Sequence, residues 1–119
     1  MQKLKMFVLS LVMAFISISV QAQTTKKSTD ETIQVKTSSV CNMCKKSLEK
    51  AMAYEKGVKS SSLDVNSQVL TVVFDSRKTN ADNIRKTVNA TGYDADDKPA
   101  DARAYNKLDD CCKKENGVH

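Results

Sequence analysis

From residue 31 onward, apolar and polar positions follow two periods in turn. In "ETIQVKT", residues 31–37, Ile33 and Val35 share one face of an extended segment, the period-two mark of a half-buried strand. Cys44, Leu48 and Met52 then recur at i, i+4 and i+8, one face of a helix over about 42–54. Lys45, Lys46, Glu49 and Lys50 take its wet side, and Gly57 stops it. "VKSSSLDV" and "QVLTVVFD" follow as two strands joined at Asn66-Ser67, with Leu70, Val72 and Phe74 as the clearer inward face. Asn80 or Thr79 caps a second helix, whose buried stripe is Ala81, Ile84 and Val88 and whose end is Gly92. "YDADDKP" leaves room for a short last strand before Pro99.

The order strand, helix, strand, strand, helix, strand predicts an α+β fold of the split βαβ, ferredoxin-like kind. It would be one antiparallel four-stranded sheet with both helices on one face. Beyond it, Ala100, Ala104 and Leu108 share a face in "ADARAYNKLDD", which predicts a helical C-terminal tail over 100–110.

The chain's start carries a different pattern. Lys3 and Lys5 precede an apolar run from Met6 to Val20, and Val20-Gln21-Ala22 offers small residues at the cleavage positions, as in a secretory signal peptide. The run is shorter than the roughly 20 apolar residues of a membrane span. Cleavage is expected between Ala22 and Gln23, giving a periplasmic or secreted protein with no membrane attachment. Residues 23–30, "QTTKKSTD", read as a flexible leader, 31–98 as the domain and 99–119 as the tail.

The mature chain, 97 residues once 22 of the 119 are removed, holds one small domain. Losing Lys3 and Lys5 lowers the formal charge from +5 to +3. No basic run is interleaved with aromatics, so nucleic acid is not an expected partner. The first helix and its exit are basic, with Lys45, Lys46, Lys50, Lys56 and Lys59; this is mostly solvated surface, with steering of an acidic partner as its functional alternative.

Four cysteines in an exported chain ordinarily read as two disulfides. Here they form a C-x-x-C, Cys41 and Cys44, and an adjacent pair, Cys111 and Cys112. Neither pair closes a long loop, and a bridge between neighbours is strained. Cross-pairing between 41 or 44 and 111 or 112 stays open. Cys41 precedes a helix and Cys44 lies in its first turn, where unpaired N–H groups and the positive end of the dipole favour thiolate; Lys45 and Lys46 add charge. Two thiolates on a short loop suit soft ions such as Cu(I), Hg(II) or Ag(I), whereas Zn(II) prefers four ligands.

"CNMCKKSLEKAM", Gly57-Val58 opening the second strand, "VVFD" ending the third and "TGY" at 91–93 together resemble the heavy-metal-associated domain family, the fold of copper metallochaperones and of the periplasmic mercury-binding protein. The resemblance covers about Glu31 to Lys98. It implies a metal-binding protein that passes an ion on by ligand exchange, to a metal-transporting ATPase or another metal-accepting protein, and it places Tyr93 beside the metal loop. The family usually carries Gly-Met-x before the first cysteine. Here Ser38, Ser39 and Val40 stand there, leaving Val40 or Met43 to anchor the loop.

A tail helix of about 11 residues, roughly 16 Å, would offset a last strand of roughly 17 Å and return Cys111 and Cys112 to Cys41 and Cys44. The expected metal ligands are therefore Cys41, Cys44, Cys111 and Cys112, for Cu(I) first, with Hg(II), Zn(II) or Cd(II) as alternatives. The competing picture is a mobile tail. His119, the single histidine, is expected to be solvated. A thiol–disulfide oxidoreductase using Cys41 and Cys44 is the enzymatic alternative, but the one proline, Pro99, follows the last strand instead of facing the pair. A disulfide-stapled domain without metal is the third reading. No nucleophile–base pair or Gly-rich phosphate loop supports catalysis. Intact-mass measurement of the exported protein should find Gln23 as the first residue; retention of residues 1–22 would contradict the signal-peptide reading.

Overall fold

The computed structural model describes residues 29–119, and the signal-peptide and leader assignments fall outside these residues apart from the leader's last two positions. Within them the chain runs β1 (Asp30–Lys36), α1 (Asn42–Tyr54), β2 (Val58–Asp64), β3 (Val69–Asp75), α2 (Ala81–Thr91) and α3 (Ala102–Asn106). Two short 3-10 turns, Asp110–Cys112 and Lys114–Asn116, follow. β3 lies between β1 and β2, antiparallel to both.

Register follows from the alternation. Val35, Leu70 and Leu63 stand opposite one another across the three strands and face inward, while Gln34, Thr71 and Ser62 form the next row, outward. Against the inner face lie Cys44, Leu48 and Met52 of α1 and Ile84 and Val88 of α2, all in one buried cluster with Phe74 and Tyr93. Each large aliphatic so buried contributes roughly 1.5–3 kcal/mol, which is how a sheet this small holds two helices.

Two turns are set by local chemistry. Between β2 and β3, Asp64 accepts from the Asn66 N–H and the Ser67 hydroxyl, and the left-handed position is taken by Gln68 (φ 63°) instead of Asn66. At the start of α2, the Asn80 side chain accepts from the Asn83 N–H at 2.9 Å, closing the cap.

The α+β, ferredoxin-like class holds, but the expected fourth strand is reduced to a single antiparallel bridge from Ala95 to Thr37 followed by a turn. Ala95 exchanges backbone hydrogen bonds with Lys98, folding the chain back within four residues, and Asp96 sits at φ 53°. The Asp96 N–H donates to the Lys36 carbonyl at 2.8 Å, while the Asp96 carboxylate accepts from the Lys36 N–H at 2.9 Å. The carboxylate thus occupies the acceptor place of a fourth-strand carbonyl, and Arg85 fixes its other oxygen at 2.9 Å.

The tail departs from expectation in a second respect. Its helix is only five residues long, capped by the Asp101 carboxylate, and the chain from Leu108 onward proceeds by turns. α3 is tied down at its start, where Asp101 N–H donates to the Asn89 carbonyl and Ala100 N–H to the Asp94 carboxylate. It then crosses directly over Gly92, whose φ of 111° ends α2. A Cβ built there would lie 3.0 Å from the Ala104 carbonyl oxygen and 3.1 Å from a Leu108 methyl. Gly92 therefore does two things at once, a positive φ and a close approach of the tail. Replacing Gly92 with Ala should cost about 1–2 kcal/mol from the backbone alone, plus the displaced α3 contact; an unchanged urea midpoint would refute both roles.

Candidate metal centre

The loop before α1 is anchored without the Gly-Met pair usual at its position. Val40 is buried and joins the core, whereas Met43 is 49% exposed, so Val40 is the packing anchor. The serines hold the loop by hydrogen bonds. The Ser38 hydroxyl accepts from the Asp94 N–H at 2.9 Å, tying the loop to the segment after α2. The buried Ser39 hydroxyl meets that of Thr37 at 2.8 Å, and its carbonyl accepts from the Gln68 side chain at 2.8 Å. These polar anchors carried no signal in the sequence, because serines in a loop look like solvated spacers.

So held, Cys41 takes the cap position of α1, and its carbonyl accepts the first helical bond, from Lys45. Its Sγ lies 3.4 Å from Cys44 Sγ and 3.8 Å from Cys112 Sγ. Cys111 Sγ is 3.9 Å from Cys112 Sγ, and the sulfurs of Cys41, Cys111 and Cys112 all lie within 4.8 Å of one another. Cys44 Sγ also points to the Cys112 carbonyl at 3.9 Å. All four are free thiols; Cys41, Cys44 and Cys112 are buried and Cys111 half-buried. The tail thus reaches Cys41 despite its shorter helix, because the 3-10 turn at Asp110–Cys112 swings Cys112 inward. The last residue closes the arc, with the His119 N–H donating to the Val40 carbonyl at 2.8 Å. The His119 ring is exposed and meets the Gly117 carbonyl.

The electrostatics are uneven across the group. Burial alone would push the Cys41 thiol up, but interactions with the backbone of Cys44, the thiols of Cys44 and Cys112 and the backbone of Met43 outweigh it and bring it to about 7. Burial first, then the neighbouring Cys44, Cys41 and Cys111, pushes Cys112 up. Cys41 is therefore the first of these two to become thiolate, with Cys112 as a donor toward it. The expected help from Lys45 does not arise, since its ammonium is taken by the Glu49 carboxylate and the Leu63 carbonyl.

Tyr93 lies fully buried beside the cluster. Burial, then the thiols of Cys44 and Cys112, drives its ionisation well above the ordinary phenol range, so it is a neutral donor. Its hydroxyl has no hydrogen-bond partner. A buried hydroxyl left unpaired costs stability, about 1–3 kcal/mol. Tyr93→Phe should accordingly leave the metal-free protein as stable or more stable in urea unfolding; a clear loss would mean the hydroxyl is satisfied.

The bond length sets what these sulfurs can hold. Metal–thiolate bonds of roughly 2.3 Å place two sulfurs roughly 4.6 Å apart in a linear complex, 4.0 Å in a trigonal one and 3.8 Å in a tetrahedral one. The spacings of 3.8 and 3.9 Å match the last two, while 3.4 Å between Cys41 and Cys44 is shorter than all three, so these two sulfurs part by some tenths of an ångström around any ion and by most for a linear one.

Comparison with known proteins bears on the domain and its C-x-x-C, not on the tail. The model of the heavy-metal-associated domain family matches residues 32–94, slightly more than half of the chain. No curated protein matches. Among solved structures, a CopZ metallochaperone is similar at 21% identity and a TM-score of 0.53, over 55% of this chain and 98% of that one. A copper binding domain from HMA7, a P-type ATPase, is 27% identical with a TM-score of 0.53, over 55% of this chain and 89% of that one. Oxidised MerP from Ralstonia metallidurans CH34 is 22% identical with a TM-score of 0.54, over 56% of this chain and 93% of that one.

Proposed function

The chain belongs to the heavy-metal-associated domain family, and on that premise we propose that it is an exported, non-enzymatic binding protein whose cargo is a soft cation, Cu(I) first. The thiolates of Cys41 and Cys44 grip the ion, and the tail adds Cys112 as the third ligand. The observation that carries this reading is the position of Cys112 Sγ, 3.8 Å from Cys41 Sγ, where a third ligand of a trigonal ion belongs. Soft thiolates favour Cu(I) and disfavour hard divalent ions. Zn(II) and Cd(II) call for all four sulfurs around one centre, and Hg(II) is satisfied by fewer.

The protein residues have distinct parts in this. Cys41 presents the most readily ionised sulfur, Cys44 the deepest, and Cys112 arrives from the tail. Tyr93 offers a neutral hydroxyl to the negative charge of a Cu(I)–thiolate group, which would relieve its unpaired state. The similarity to a copper binding domain of a P-type ATPase supports a metal-transporting ATPase, or another thiol-bearing acceptor, as the partner. The signal-like start supports an extracytoplasmic setting.

The test is an anaerobic competition titration of Cu(I) against a chromogenic chelator, with free thiols counted beforehand. Wild type should hold one equivalent against the chelator. Cys41→Ser should abolish retention, and Cys112→Ser should weaken it at least about tenfold, near 1.4 kcal/mol. Reduced wild type that yields all its ion to a weak chelator would end the proposal. Parallel titrations with Hg(II), Zn(II) and Cd(II) rank the cargo.

A further inference from the structure

The four cysteines do not converge on one point. The sulfurs of Cys41, Cys111 and Cys112 lie within 4.8 Å of one another, Cys44 flanks Cys41, and beyond Cys111 the line of sulfurs continues to Met43. Cys111 Sγ lies 3.4 Å from Met43 Sδ, closer than its 3.9 Å to Cys112 Sγ, and both of its polar contacts are these sulfurs. From outside inward the order is Met43, Cys111, Cys112, Cys41 and Cys44, with spacings of 3.4, 3.9, 3.8 and 3.4 Å. Exposure falls along the same path, from a half-exposed Met43 through a half-buried Cys111 to buried Cys112, Cys41 and Cys44.

Met43 is also released from any packing duty. Val40 anchors the loop in the core, and Met43 on the first turn of α1 leaves its thioether outside. A single half-exposed apolar side chain is ordinary, so what matters is what lies beside it. What it retains is a soft, polarisable sulfur beside a thiol. Thioether and thiolate ligands select Cu(I), while hard or borderline divalent ions gain little from a neutral thioether.

We propose that Met43 Sδ and Cys111 Sγ, parting from 3.4 Å as the half-exposed Met43 side chain swings outward, form an outer station for a monovalent soft ion, Cu(I) or Ag(I), distinct from the inner clamp of Cys41, Cys44 and Cys112. The inference rests on the soft-metal reading of that clamp and extends it in two ways. One chain takes up a second equivalent once the clamp is full, and the thioether discriminates against Zn(II) at the entrance. On binding there, Cys111 releases its thiol proton to solvent and the ion stays monovalent, so no oxidant or reductant is required. Neighbouring sulfurs under 4 Å apart let an ion pass inward while always keeping one ligand.

The experiment uses Ag(I), a redox-inert probe, added to the reduced, mature full chain carrying 13C-methyl methionine. Stoichiometry is read by native mass spectrometry and the methyl signals by NMR. The mature chain then has two methionines, Met43 and the fully buried Met52, which serves as an internal reference. Wild type is expected to retain a second equivalent, with the Met43 methyl shifting as it is added and Met52 holding still. Met43→Leu and Cys111→Ser should each lose the second equivalent and keep the first, and Zn(II) should leave the Met43 methyl unmoved. A Met43 signal that stays put through the second equivalent, a Met43→Leu protein that keeps both ions, or one that loses both would overturn the outer station. Wild type that retains no ion at all would bring down the clamp as well, so the two failures are distinguishable.

Discussion

Cys41 has to satisfy two geometries at once. As the residue before α1 it must be extended, so that its carbonyl accepts the first helical bond and its side chain stands at the unpaired N–H groups of the first turn. As the point where the tail lands, it is also enclosed, since its sulfur lies 3.8 Å from that of Cys112 and both residues are buried. The second demand raises the cost of a charge and the first lowers it. The balance falls on the side of thiolate, because the helix mouth and two neighbouring thiols act within bonding distance while burial acts diffusely.

Everything downstream of α2 is arranged to deliver that enclosure. Gly92 lets the tail cross over the helix end, Asp94 receives the Ala100 N–H and the Lys114 ammonium, and the terminal N–H of His119 docks on the Val40 carbonyl. Asp94 also donates its own N–H to Ser38, so one residue links the cysteine loop, the end of α2 and the tail. The loop's hydrogen-bonded serines and the tail's docking are in this sense one construction. Polar ties hold the loop while Val40 packs beneath it, and the freed Met43 faces the arriving Cys111.

Much of this frame was legible because it is periodic. The spacing of Cys44, Leu48 and Met52 located α1, and the alternation through Leu70, Val72 and Phe74 marked the inward face of β3. What escaped was conformation decided by single side chains. Nothing in "YDADDKP" indicated that Asp96 would adopt a positive φ and offer its carboxylate where a fourth strand's carbonyl was expected. The tail's Ala100, Ala104 and Leu108 have helical spacing, yet only Ala102–Asn106 coils, since Leu108 is drawn onto Gly92 and Asp109 is extended. The return of Cys112 to Cys41 followed from length alone and survived the wrong helix length, because a chain of that reach arrives by turns as readily as by a helix. The role of Met43 was hidden, since Val40 and Met43 were equal candidates for the anchor until burial separated them.

The third sulfur also bears on whether such a site passes its cargo on or keeps it. A two-thiolate loop leaves a coordination position open, and an incoming thiolate fills it before any bond breaks. Here Cys112 competes for that position from within the same chain, at an effective concentration on the order of millimolar or above, and an external thiolate must displace it. The resistance is only as strong as the tail's hold, and that hold is peripheral. Beyond α3, which the Ala100 and Asp101 N–H groups and the contact with Gly92 seat, it rests on one backbone bond from His119, an exposed Lys114–Asp94 pair at 3.4 Å and the burial of Cys112 itself. Exposed ion pairs contribute little, about 0–1 kcal/mol. A partner that binds the face of α1 and dislodges the last few residues therefore meets a modest barrier, after which the loop of Cys41 and Cys44 is open for exchange. On the proposed function, retention in isolation and release on contact would both follow from the same strap.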